Sequence, residues 1–412
     1  MAVSGVRMGV VGGSIAGCAM AIAGARAGAD VTVYERSDGE LQDRGLGIVI
    51  PPALHEELVT AGYLDASMDT APVGTRVWLT RKPDGRTAHE FGRQPSAVVP
   101  CNWGMLWRSL RARAGDVRYH RGLPVTSVER EPSGRALIRT AAGAESYDIV
   151  VGADGHQSVT RRLLAPGLRP TPAGYTVWRG TVALSAFAGR PEQLELLRGA
   201  WVTVTFERGH GVFYLIPSAR KESGGAGGER LLAYAVYGFL PAPAAGRREE
   251  AAYVRTLADE HFPAEWADVV ARGKHLSLVC HPVTDFQAPR SASPPFLLAG
   301  DAAAITRPHT ASGAVKALQD ALCLERALRD STSTDEALRR YADERTAEGA
   351  RLVELGRRLG HAQVERTPEW HTMGPADVDT WSRAVLGGAT SYLFGGPHRG
   401  ADAEPPRGSA CS

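Results

Sequence analysis

The feature that most constrains the fold is a strand, glycine turn, helix and second strand within residues 6–35. An apolar run that begins at Val6 passes into the turn and helix of Met8-Gly-Val-Val-Gly-Gly-Ser-Ile-Ala-Gly-Cys18. A second apolar run, Val31-Thr-Val-Tyr34, ends in Glu35. An acidic residue after the second strand of such a unit commonly binds a ribose hydroxyl. The pattern therefore predicts a dinucleotide-binding βαβ unit.

One position departs from that pattern. Gly12 and Gly17 hold the outer glycine positions, and Glu35 follows Gly17 by 18 residues (35 − 17), but Ser14 stands where the middle glycine is usual. Because serine is small, the backbone can still come close to a pyrophosphate. We interpret the turn as a variant of the fingerprint.

A second nucleotide signal lies in residues 296–322. The run Phe296–Ala299 has the length of a buried strand, Gly300-Asp301 turns the chain, and a helical pattern starts at Ser312-Gly313. Asp301 can accept hydrogen bonds from sugar or ribityl hydroxyls, and the free N–H groups near Gly313 and Ala314 can hold an anion. A plain strand–turn–helix connector, which Asp301 helps to cap, is the alternative.

Composition excludes several classes of protein. A chain of 412 residues can bury a sizeable core. The formal net charge of +2 gives no indication of binding to nucleic acid or to a membrane surface, and no run is long and apolar enough to span a membrane. The cysteines lack metal-ligand spacing, which predicts a reducing cytoplasm and no metal site. They are Cys18, Cys101, Cys280, Cys323 and Cys411.

The N-terminal apolar run has a competing interpretation. Residues 8–25 are apolar enough for a signal peptide, and Ile15-Ala-Gly-Cys18 is similar to a bacterial lipoprotein cleavage box. However, the basic region before this run contains only Arg7, and cleavage would remove the first strand and its glycine turn. We therefore expect the run to be part of the fold.

Residues 171–279 lack nucleotide signals and are predicted to form strands. Runs rich in aromatic and β-branched residues cover 175–182, 201–206, 212–216 and 231–237. We expect this sheet to roof a substrate pocket. Its candidate lining residues are Trp178, Phe206, Phe213, Tyr214, Tyr234 and Tyr237. Ordinary core packing is the alternative for each, because strand register cannot be fixed from sequence.

Three ordered motifs resemble those of the single-component (group A) FAD-dependent aromatic hydroxylases, the family typified by para-hydroxybenzoate hydroxylase. They are the fingerprint with Glu35 followed by Arg44-Gly-Leu-Gly-Ile48, the Asp-Gly motif Asp148-Ile-Val-Val-Gly-Ala-Asp-Gly-His-Gln-Ser-Val-Thr-Arg161, and the Gly-Asp motif of residues 296–322. Within the last, Arg307-Pro-His-Thr-Ala-Ser-Gly-Ala-Val-Lys316 is most similar to dihydroxypyridine hydroxylase-like members. The resemblance covers about residues 6–330.

The resemblance implies an α/β fold with a Rossmann-like, glutathione-reductase-type FAD-binding domain, an inserted β-sheet substrate domain and C-terminal helices. The expected boundaries are 1–72, 96–170 and 280–330 for the FAD-binding domain, 73–95 and 171–279 for the substrate domain, 331–396 for the helical region and 397–412 for a disordered tail.

The resemblance also implies FAD as the bound cofactor and NADH or NADPH as a transient electron donor. The donor must dock without a Rossmann domain of its own, because no second glycine fingerprint follows. The positions that correspond to FAD-binding residues are Gly12, Ser14, Ile15, Ala16, Gly17, Glu35, Arg36, Arg44, Gly45, Arg108, Val125, Asp154, Gly300, Asp301, Pro308, Gly313, Ala314 and Val315. For Arg44 and Arg108, a solvated surface arginine is the alternative.

The family's chemistry would be the transfer of one oxygen atom of O2, through a flavin C4a-hydroperoxide, to a small electron-rich ring such as a phenol, hydroxypyridine or indole, with natural-product biosynthesis as one setting. The loop with Pro308, Gly313 and Ala314 would position the flavin and stabilise its anionic reduced form. His309, Tyr214 and His210 are candidate general bases, and none is assigned. We expect a monomer or homodimer.

Two alternatives remain open. A flavin-dependent halogenase or reductase would share the nucleotide fold, although the sequence lacks a Trp-x-Trp-x-Ile-Pro halogenase signature. A non-catalytic flavoprotein that binds a reactive pathway intermediate would keep every FAD motif, so only turnover separates it from a monooxygenase.

Overall fold

The computed structural model describes residues 5–39, 41, 46–184, 190–218, 229–240, 246–273, 278–389, 391 and 393. The strands are, in chain order, β1 (Arg7–Val11), β2 (Asp30–Tyr34), β3 (Gly47–Ile50), β4 (Val73–Arg81), β5 (Ala88–Asn102), β6 (Arg118–His120), β7 (Val125–Arg130), β8 (Ala136–Thr140), β9 (Gly143–Tyr147), β10 (Ile149–Gly152), β11 (Thr171–Ala183), β12 (Ala200–Phe206), β13 (Gly209–Pro217), β14 (Arg230–Gly238), β15 (Val279–Gln287), β16 (Ala292–Ser293), β17 (Phe296–Leu298) and β18 (Ala304–Ile305).

The α-helices alternate with these strands in the first part of the chain and follow them in the last. They are α1 (Ile15–Arg26), α2 (Pro52–Thr60), α3 (Trp103–Arg113), α4 (Val159–Leu164), α5 (Pro191–Gly199), α6 (Arg247–His261), α7 (Ala264–Arg272), α8 (Ser312–Asp330), α9 (Thr334–Gly360) and α10 (Pro375–Leu386). Short 3-10 helices cover Gly155–Gln157, Gly300–Ala302, Pro308–Thr310 and Trp370–Thr372, and a π-helical turn covers His361–Glu365.

The first sheet brings the three nucleotide motifs together. Its strand order is β16-β17-β10-β1-β2-β6, and the strands from β17 to β6 run parallel. Helices α1 and α8 cover one face, and the small sheet β7-β8-β9 covers the other, so β1 and β10 are buried almost throughout. Parallel strands end at one edge. The glycine turn, the Asp-Gly motif and the Gly-Asp motif therefore follow neighbouring strand ends.

The second sheet has the order β18-β15-β11-β14-β13-β12-β4-β5-β3 and is antiparallel except between β12 and β4. The four strands predicted between residues 175 and 237 all lie in it, as β11 to β14. The domain boundary predicted between residues 95 and 96 falls inside β5, which continues to Asn102 and leads directly into α3. The mixed α/β fold agrees with the prediction.

The two faces of the second sheet pack against different partners. On the helix face, Phe213 of β13 packs against Phe262 and Trp266, whose helices α6 and α7 cover that side. On the opposite face, which we call the loop face, the sheet contacts the 306–312 loop, α9 and α10 through a separate apolar core. Successive residues of a strand point to opposite faces, so each residue belongs to one core only.

Two predicted elements differ from the structure. Residues 247–272 form α6 and α7 rather than strands, and Ala251, Val254 and Ala258 recur at helical spacing on the buried side of α6. The sequence of residues 53–68 also indicates a helix, but α2 ends at Thr60, because Gly62 turns the chain with a φ of 73°.

A buried carboxylate fastens the Gly-Asp motif to the two long helices. Asp320 of α8 accepts the Gly300 N–H at 2.8 Å and the Arg345 Nε–H of α9 at 2.6 Å. The side chains of Asp320 and Arg345 are 3% and 6% exposed. A charge in such a site is stable only when it is paired.

Across the described residues, no helix is long and apolar enough to cross a bilayer.

We predict that Asp320→Ala strongly destabilises the protein. It leaves the Arg345 guanidinium buried without its carboxylate, and breaking one partner of a buried pair costs roughly 3–5 kcal/mol. Asp343→Ala, an exposed position on α9, is the control and should change stability by about 0.5 kcal/mol or less. Chemical denaturation followed by circular dichroism measures both. Equal midpoints for the two variants would contradict this role of Asp320.

Candidate FAD site and ring-facing sheet

The glycine turn after β1 is a close-packed backbone junction. Gly12 has a φ of 97°, and a Cβ added there would lie 2.5 Å from the Ala153 carbonyl oxygen. A Cβ on Gly17 would lie 1.8 Å from the Gly12 carbonyl oxygen. The positions of Ser14, Ile15 and Ala16 form the start of α1, whose first N–H groups receive no side-chain cap. This is the geometry in which a helix start can hold a pyrophosphate.

Glu35 lies beside this turn at the end of β2 and is 7% exposed. Its carboxylate accepts the Gly13 N–H at 2.7 Å and the Ser37 N–H at 2.8 Å. Each oxygen retains a lone pair that can accept a hydroxyl. The neighbouring Arg36 is exposed. The sequence-predicted acid is therefore held against the glycine turn by its own backbone.

The FAD contact expected of Arg108 stays a prediction, and another residue of α3 contacts the glycine turn. Arg108 is exposed and borders a surface cleft with Asp65, whereas Trp107 donates its indole N–H to the Gly13 carbonyl at 2.9 Å. Arg111, one turn later on the same side of α3, lies over the ring of Tyr119, 4.3 Å from its centroid. Residues at i and i+4 share a helix face and the residue after i does not. That spacing was the signal for Trp107 and Arg111.

Tyr119 completes the packing around the turn by donating its hydroxyl to the Gly13 carbonyl at 2.9 Å. The adenine contact expected of Val125 stays a prediction, since Val125 is half-buried at the start of β7 beside the small-sheet core. Arg44 and Gly45 lie outside the described residues.

The Asp-Gly motif contributes a carboxylate that is only half satisfied. Asp154 Oδ2 accepts the Val159 N–H at 2.7 Å, while its Oδ1 is buried with no hydrogen-bond partner among the described residues. Burial raises the pKa of Asp154 above its usual value. Arg161 braces the motif against the next one by donating to the Gly155 and Ala302 carbonyls. An orphaned buried oxygen of this kind points to a ligand that donates a hydrogen bond.

The Gly-Asp motif presents a carboxylate at the end of β17. The Asp301 side chain is 52% exposed, and the Lys316 ammonium group, 2% exposed, lies 3.3 Å from its Oδ1. Lys316 also donates to the Ala304 carbonyl at 2.5 Å. Gly300 adopts a φ of 57° and approaches Ala16 of α1 closely. The buried Lys316 therefore fixes one side of the Asp301 carboxylate, and the rest of the carboxylate remains accessible to a ligand.

Helix α8 begins beside this carboxylate and has an uncapped amino terminus. Ala311 precedes it in the left-handed region with a φ of 49°, a conformation that costs energy for a residue with a Cβ and that is concentrated at functional sites. Gly313 is exposed, and no atom lies within 4 Å of a Cβ built on it. Ala314 is half-buried and Val315 is buried. The free N–H groups and the helix dipole favour negative charge here.

A cleft of about 370 Å³ borders the start of α8. It lies between the end of β3 and the long helix α9, and its lining includes Pro51, Thr310, Ser312, Val315, Leu352 and Leu355. The loop that carries Pro308 is thus flanked by open space on one side and by the second sheet on the other.

The loop face of the second sheet meets this loop through buried polar rings. His309 is 6% exposed, and its ring centroid lies 4.6 Å from that of Tyr237 and 5.3 Å from that of His210. Burial and the positive charge of Arg76 lower the pKa of His210 to about 3, and burial lowers the pKa of His309 well below its usual value. Both rings are therefore neutral near pH 7.

Tyr214 occupies the same face. A Cβ added to Gly47 of β3 would lie 2.7 Å from the Tyr214 hydroxyl oxygen, so β3 passes directly over this ring. Burial raises the pKa of Tyr214, so its hydroxyl is protonated near neutrality. The lowered pKa values of His210 and His309 make both rings weak proton acceptors, and the protonated Tyr214 hydroxyl is not a base.

The structure divides the six candidate lining residues between the two faces. Tyr214 and Tyr237 belong to the loop face. The other four, Trp178, Phe206, Phe213 and Tyr234, pack into the core beneath α6 and α7. The six candidates therefore do not share one face of the sheet, because alternate strand positions point in opposite directions.

These features fit FAD. The glycine turn admits no Cβ, and the buried Oδ1 of Asp154 has no donor among the described residues. Asp301 offers an acceptor, and the start of α8 offers an anion site. Glu35 can hold ribose hydroxyls and Asp301 ribityl hydroxyls. Within the part of the chain that the structure describes, no group of three or more His, Cys, Asp or Glu side chains is arranged to hold a metal ion.

Curated relatives are oxygenases of ring compounds. The chain is 28% identical over 336 residues to the 2,6-dihydroxypyridine 3-monooxygenase of Paenarthrobacter nicotinovorans, covering 77% of this chain and 81% of the relative. It is 26% identical over 369 residues to the 3-amino-4-hydroxybenzoate 2-monooxygenase of Streptomyces cremeus, covering 86% of each.

Solved structures show the same fold. The 2,6-dihydroxypyridine-3-hydroxylase from Arthrobacter nicotinovorans superimposes with a TM-score of 0.77 at 24% identity, covering 89% of this chain and 95% of that one. Klebsiella pneumoniae HpxO complexed with FAD and uric acid superimposes with a TM-score of 0.76 at 20% identity, covering 93% and 95%. The predicted fold class is confirmed.

We predict that Gly17→Ala abolishes tight FAD binding. The new methyl group would collide with the Gly12 carbonyl and displace the turn from α1, so the FAD dissociation constant should rise by more than about tenfold, or 1.4 kcal/mol. Gly199→Ala, where a Cβ meets nothing within 4 Å, is the control. Flavin fluorescence titration of the apoproteins measures both. A folded Gly17→Ala protein with unchanged affinity would refute this assignment.

We predict opposite effects of Asp154→Asn on stability and on binding. The pKa of Asp154 is higher in the folded apoprotein than in the unfolded chain, so the folded protein holds this proton more tightly. The contribution of Asp154 to stability therefore falls as the pH rises from the pKa of the unfolded chain to that of the folded protein. Near pH 7 the amide should therefore keep or raise the melting temperature. FAD affinity should fall about threefold to tenfold, because a neutral acceptor replaces an ionised one.

Asp116→Asn, at an exposed position, is the matched control and should change neither quantity. A lower apoprotein melting temperature for Asp154→Asn at pH 7 would contradict this explanation.

The family model for the FAD binding domain matches residues 6–355, which is most of the chain and includes all three motifs. This match confirms the predicted family, the predicted FAD cofactor and the oxidoreductase class. The chain belongs to the FAD-binding-domain family and is a flavoprotein monooxygenase of the aromatic-hydroxylase type.

Proposed function

We propose that this protein hydroxylates a small electron-rich aromatic or heteroaromatic ring, with NADH or NADPH as the electron donor. The balanced reaction is ring–H + NAD(P)H + H⁺ + O2 giving ring–OH + NAD(P)⁺ + H2O. The observation that carries the proposal is the meeting of an open, uncapped α8 terminus with a buried polar face of the second sheet. The positive end of α8 suits an anionic cofactor, and the polar face of the second sheet suits a small polar ring.

Each part of the site has a distinct role in this proposal. The glycine turn and Glu35 hold the adenosine end of FAD, and Asp301 holds the ribityl hydroxyls. The N–H groups of Gly313, Ala314 and Val315 stabilise negative charge on the cofactor ring, as pre-organised donors do in a water-poor site. FAD supplies the hydride acceptance from NAD(P)H and the activation of O2. The chain's residues orient the ring and exclude water.

The loop face supports a polar ring as the substrate. Tyr237, His210 and His309 form a buried cluster of uncharged rings, and Arg76 adds a positive charge near it. The Arg76 guanidinium lies 3.8 Å from the centroid of the Trp78 ring and donates to Thr203 Oγ1 at 2.9 Å. Burial lowers its pKa to about 9, so it remains charged at pH 7. Positive potential favours rings that carry an acidic hydroxyl or a carboxylate.

The similar proteins named for 2,6-dihydroxypyridine and for 3-amino-4-hydroxybenzoate fit the same description, since both names specify a small ring with hydroxyl groups. A monomeric or homodimeric, cytoplasmic enzyme, and the choice between NADH and NADPH, remain predictions beside this proposal.

The test is NADH and NADPH oxidation by the FAD-loaded protein with a panel of hydroxypyridines, aminohydroxybenzoates, phenols and indoles, under ¹⁸O2 and with peroxide measured alongside. We expect one ring to accelerate oxidation by about a hundredfold, a size typical of effects on catalytic geometry, and to gain one ¹⁸O atom. Acceleration with stoichiometric peroxide would identify an effector. Tight FAD binding with no acceleration by any ring would support the non-catalytic flavoprotein instead.

A further inference from the structure

The ring of His309 is fixed by one hydrogen bond and two aromatic neighbours. Its Nε2 lies 2.8 Å from the Tyr175 hydroxyl oxygen, and its faces meet Tyr237 and His210. His309 belongs to the loop between the Gly-Asp motif and α8, so it is carried by the same segment that borders the proposed flavin site.

The partners of Tyr175 determine the direction of that hydrogen bond. Arg307 donates from Nε to Asp285 at 2.9 Å and from Nη1 to Glu365 at 2.5 Å, and its guanidinium carbon lies 5.7 Å from the centroid of the Tyr175 ring. A guanidinium has only donors, so Arg307 cannot accept the Tyr175 proton, and Nε2 of His309 is the hydrogen-bond partner that the Tyr175 hydroxyl has among the described residues. The hydroxyl proton of Tyr175 is then available to Nε2 of His309. The reverse direction would leave both the Tyr175 proton and the other His309 nitrogen unsatisfied in a buried place.

The protonation of His309 follows from this direction. Its Nε2 accepts and therefore carries a lone pair. The charged or polar groups that face it from every packed element are Arg307 and Tyr175 behind it, His210 and Tyr237 beside it, and Arg76 across the sheet face. None of these is an anion, and burial together with the positive groups lowers the pKa of His309. The ring is neutral, so its single proton resides on Nδ1.

That Nδ1 atom is buried and has no hydrogen-bond partner among the described residues. The nearby Trp201 indole N–H, whose ring lies 4.7 Å from the Arg76 guanidinium carbon, is also buried without an acceptor there. Buried N–H groups are seldom left unpaired in folded proteins. Two unpaired donors near one positive charge indicate a bound molecule that brings oxygen acceptors.

We propose that His309 is a hydrogen-bond donor, through Nδ1–H, to an oxyanion or carbonyl oxygen of the ring substrate, and that it does not act as a general base. This inference rests on the proposed function and narrows it. The substrate binds either as its ring anion, whose proton has been lost to solvent, or as its keto tautomer, whose proton has moved to a ring atom. Tyr175 and Arg307 are positioning residues that fix the tautomer of His309.

The first test reads the tautomer directly and needs no substrate. Histidine-labelled, FAD-loaded protein is studied by ¹H–¹⁵N correlation spectroscopy between pH 6 and pH 8, and the His309 signals are assigned by their loss in His309→Asn. We expect a neutral ring protonated on Nδ1 throughout. A ring protonated on Nε2, or on both nitrogens, overturns the proposal whether or not the protein turns over any ring.

The same spectra separate the two sources of an oxygen acceptor. The probes are FAD added to apoprotein, and then 2,6-dihydroxypyridine or 3-amino-4-hydroxybenzoate added to the FAD-loaded protein. A shift of the Nδ1–H signal on addition of a ring probe supports the assignment to substrate. A shift on FAD loading with none on ring addition overturns it, because the acceptor would then be a flavin oxygen.

A matched pair of substitutions tests the donor role. The side-chain amide of His309→Asn can place an N–H near the Nδ1 position, whereas that of His309→Gln reaches toward the Nε2 position. For the ring that the turnover assay identifies, we expect the dissociation constant of His309→Asn to stay within about threefold of wild type and that of His309→Gln to rise at least about tenfold, the size of one lost hydrogen bond to a charged acceptor.

The turnover rate separates donor from base. Asparagine cannot accept a proton, so a base at this position predicts that His309→Asn binds the ring but loses kcat by at least about a hundredfold. That result would overturn the proposal. A kcat within about threefold of wild type supports it. Flavin content and melting temperature, measured for every variant, show that the comparison is made on folded holoprotein.

Discussion

The buried carboxylate of Asp285 is the interaction on which the arrangement of the site depends. Asp285 is fully buried in β15 and accepts hydrogen bonds from Arg307 at 2.9 Å and from Arg357 of α9 at 2.7 Å. It thereby joins the second sheet, the loop before α8 and the long helix α9 at one point. Loss of one member of such a group leaves a buried charge without compensation. The position of the loop that carries His309 follows from this single anion.

The approach of α9 to that loop depends on the absence of side chains. A Cβ on Gly356 would lie 3.1 Å from the Arg307 backbone nitrogen, and one on Gly360 would lie 2.3 Å from the Tyr175 hydroxyl. Because these two positions lack side chains, α9 can pack close enough to hold Arg307 beside Tyr175 and Glu365. Charge pairing and close backbone packing act together to fix three polar side chains next to the sheet face on which we place the substrate.

On our proposal, an acidic ring is hydroxylated without a general base from the protein. Every titratable group that we place near the ring is either neutral or positive at pH 7, and the uncapped terminus of α8 adds further positive potential. Such a site selects the ionised form of a substrate from solution and does not need to create it. Electron-rich anions are also the rings most readily attacked by an electrophilic oxygen.

Local motifs made most of this structure predictable from sequence. The strand at Phe296–Leu298 and the start of α8 at Ser312 agree with the apolar run, the Gly300-Asp301 turn and the helical pattern in the sequence. Each of these signals lies within a few residues of the element that it predicts, so the element can be located without knowledge of the fold.

Features that depend on register could not be predicted in the same way. Phe213 and Tyr214 are neighbours in sequence but lie on opposite faces of β13, and only the completed sheet decides which one meets the site. The contact of Trp107 with the glycine turn and the position of Arg111 over Tyr119 could have been predicted, because residues at i and i+4 share one face of α3. The hydrogen bond of Tyr175 to His309 joins residues 134 positions apart and had no local signal.

The most direct test of this account is a crystal structure of the protein with FAD and the ring that accelerates NAD(P)H oxidation. We predict that the adenosine end lies against Glu35 and the Gly12–Gly17 turn, the cofactor ring lies within hydrogen-bonding distance of the first N–H groups of α8, and the substrate lies on the loop face with an oxygen on His309 Nδ1. A substrate bound on the opposite face, beneath α6 and α7, or a cofactor ring remote from α8, would contradict the account.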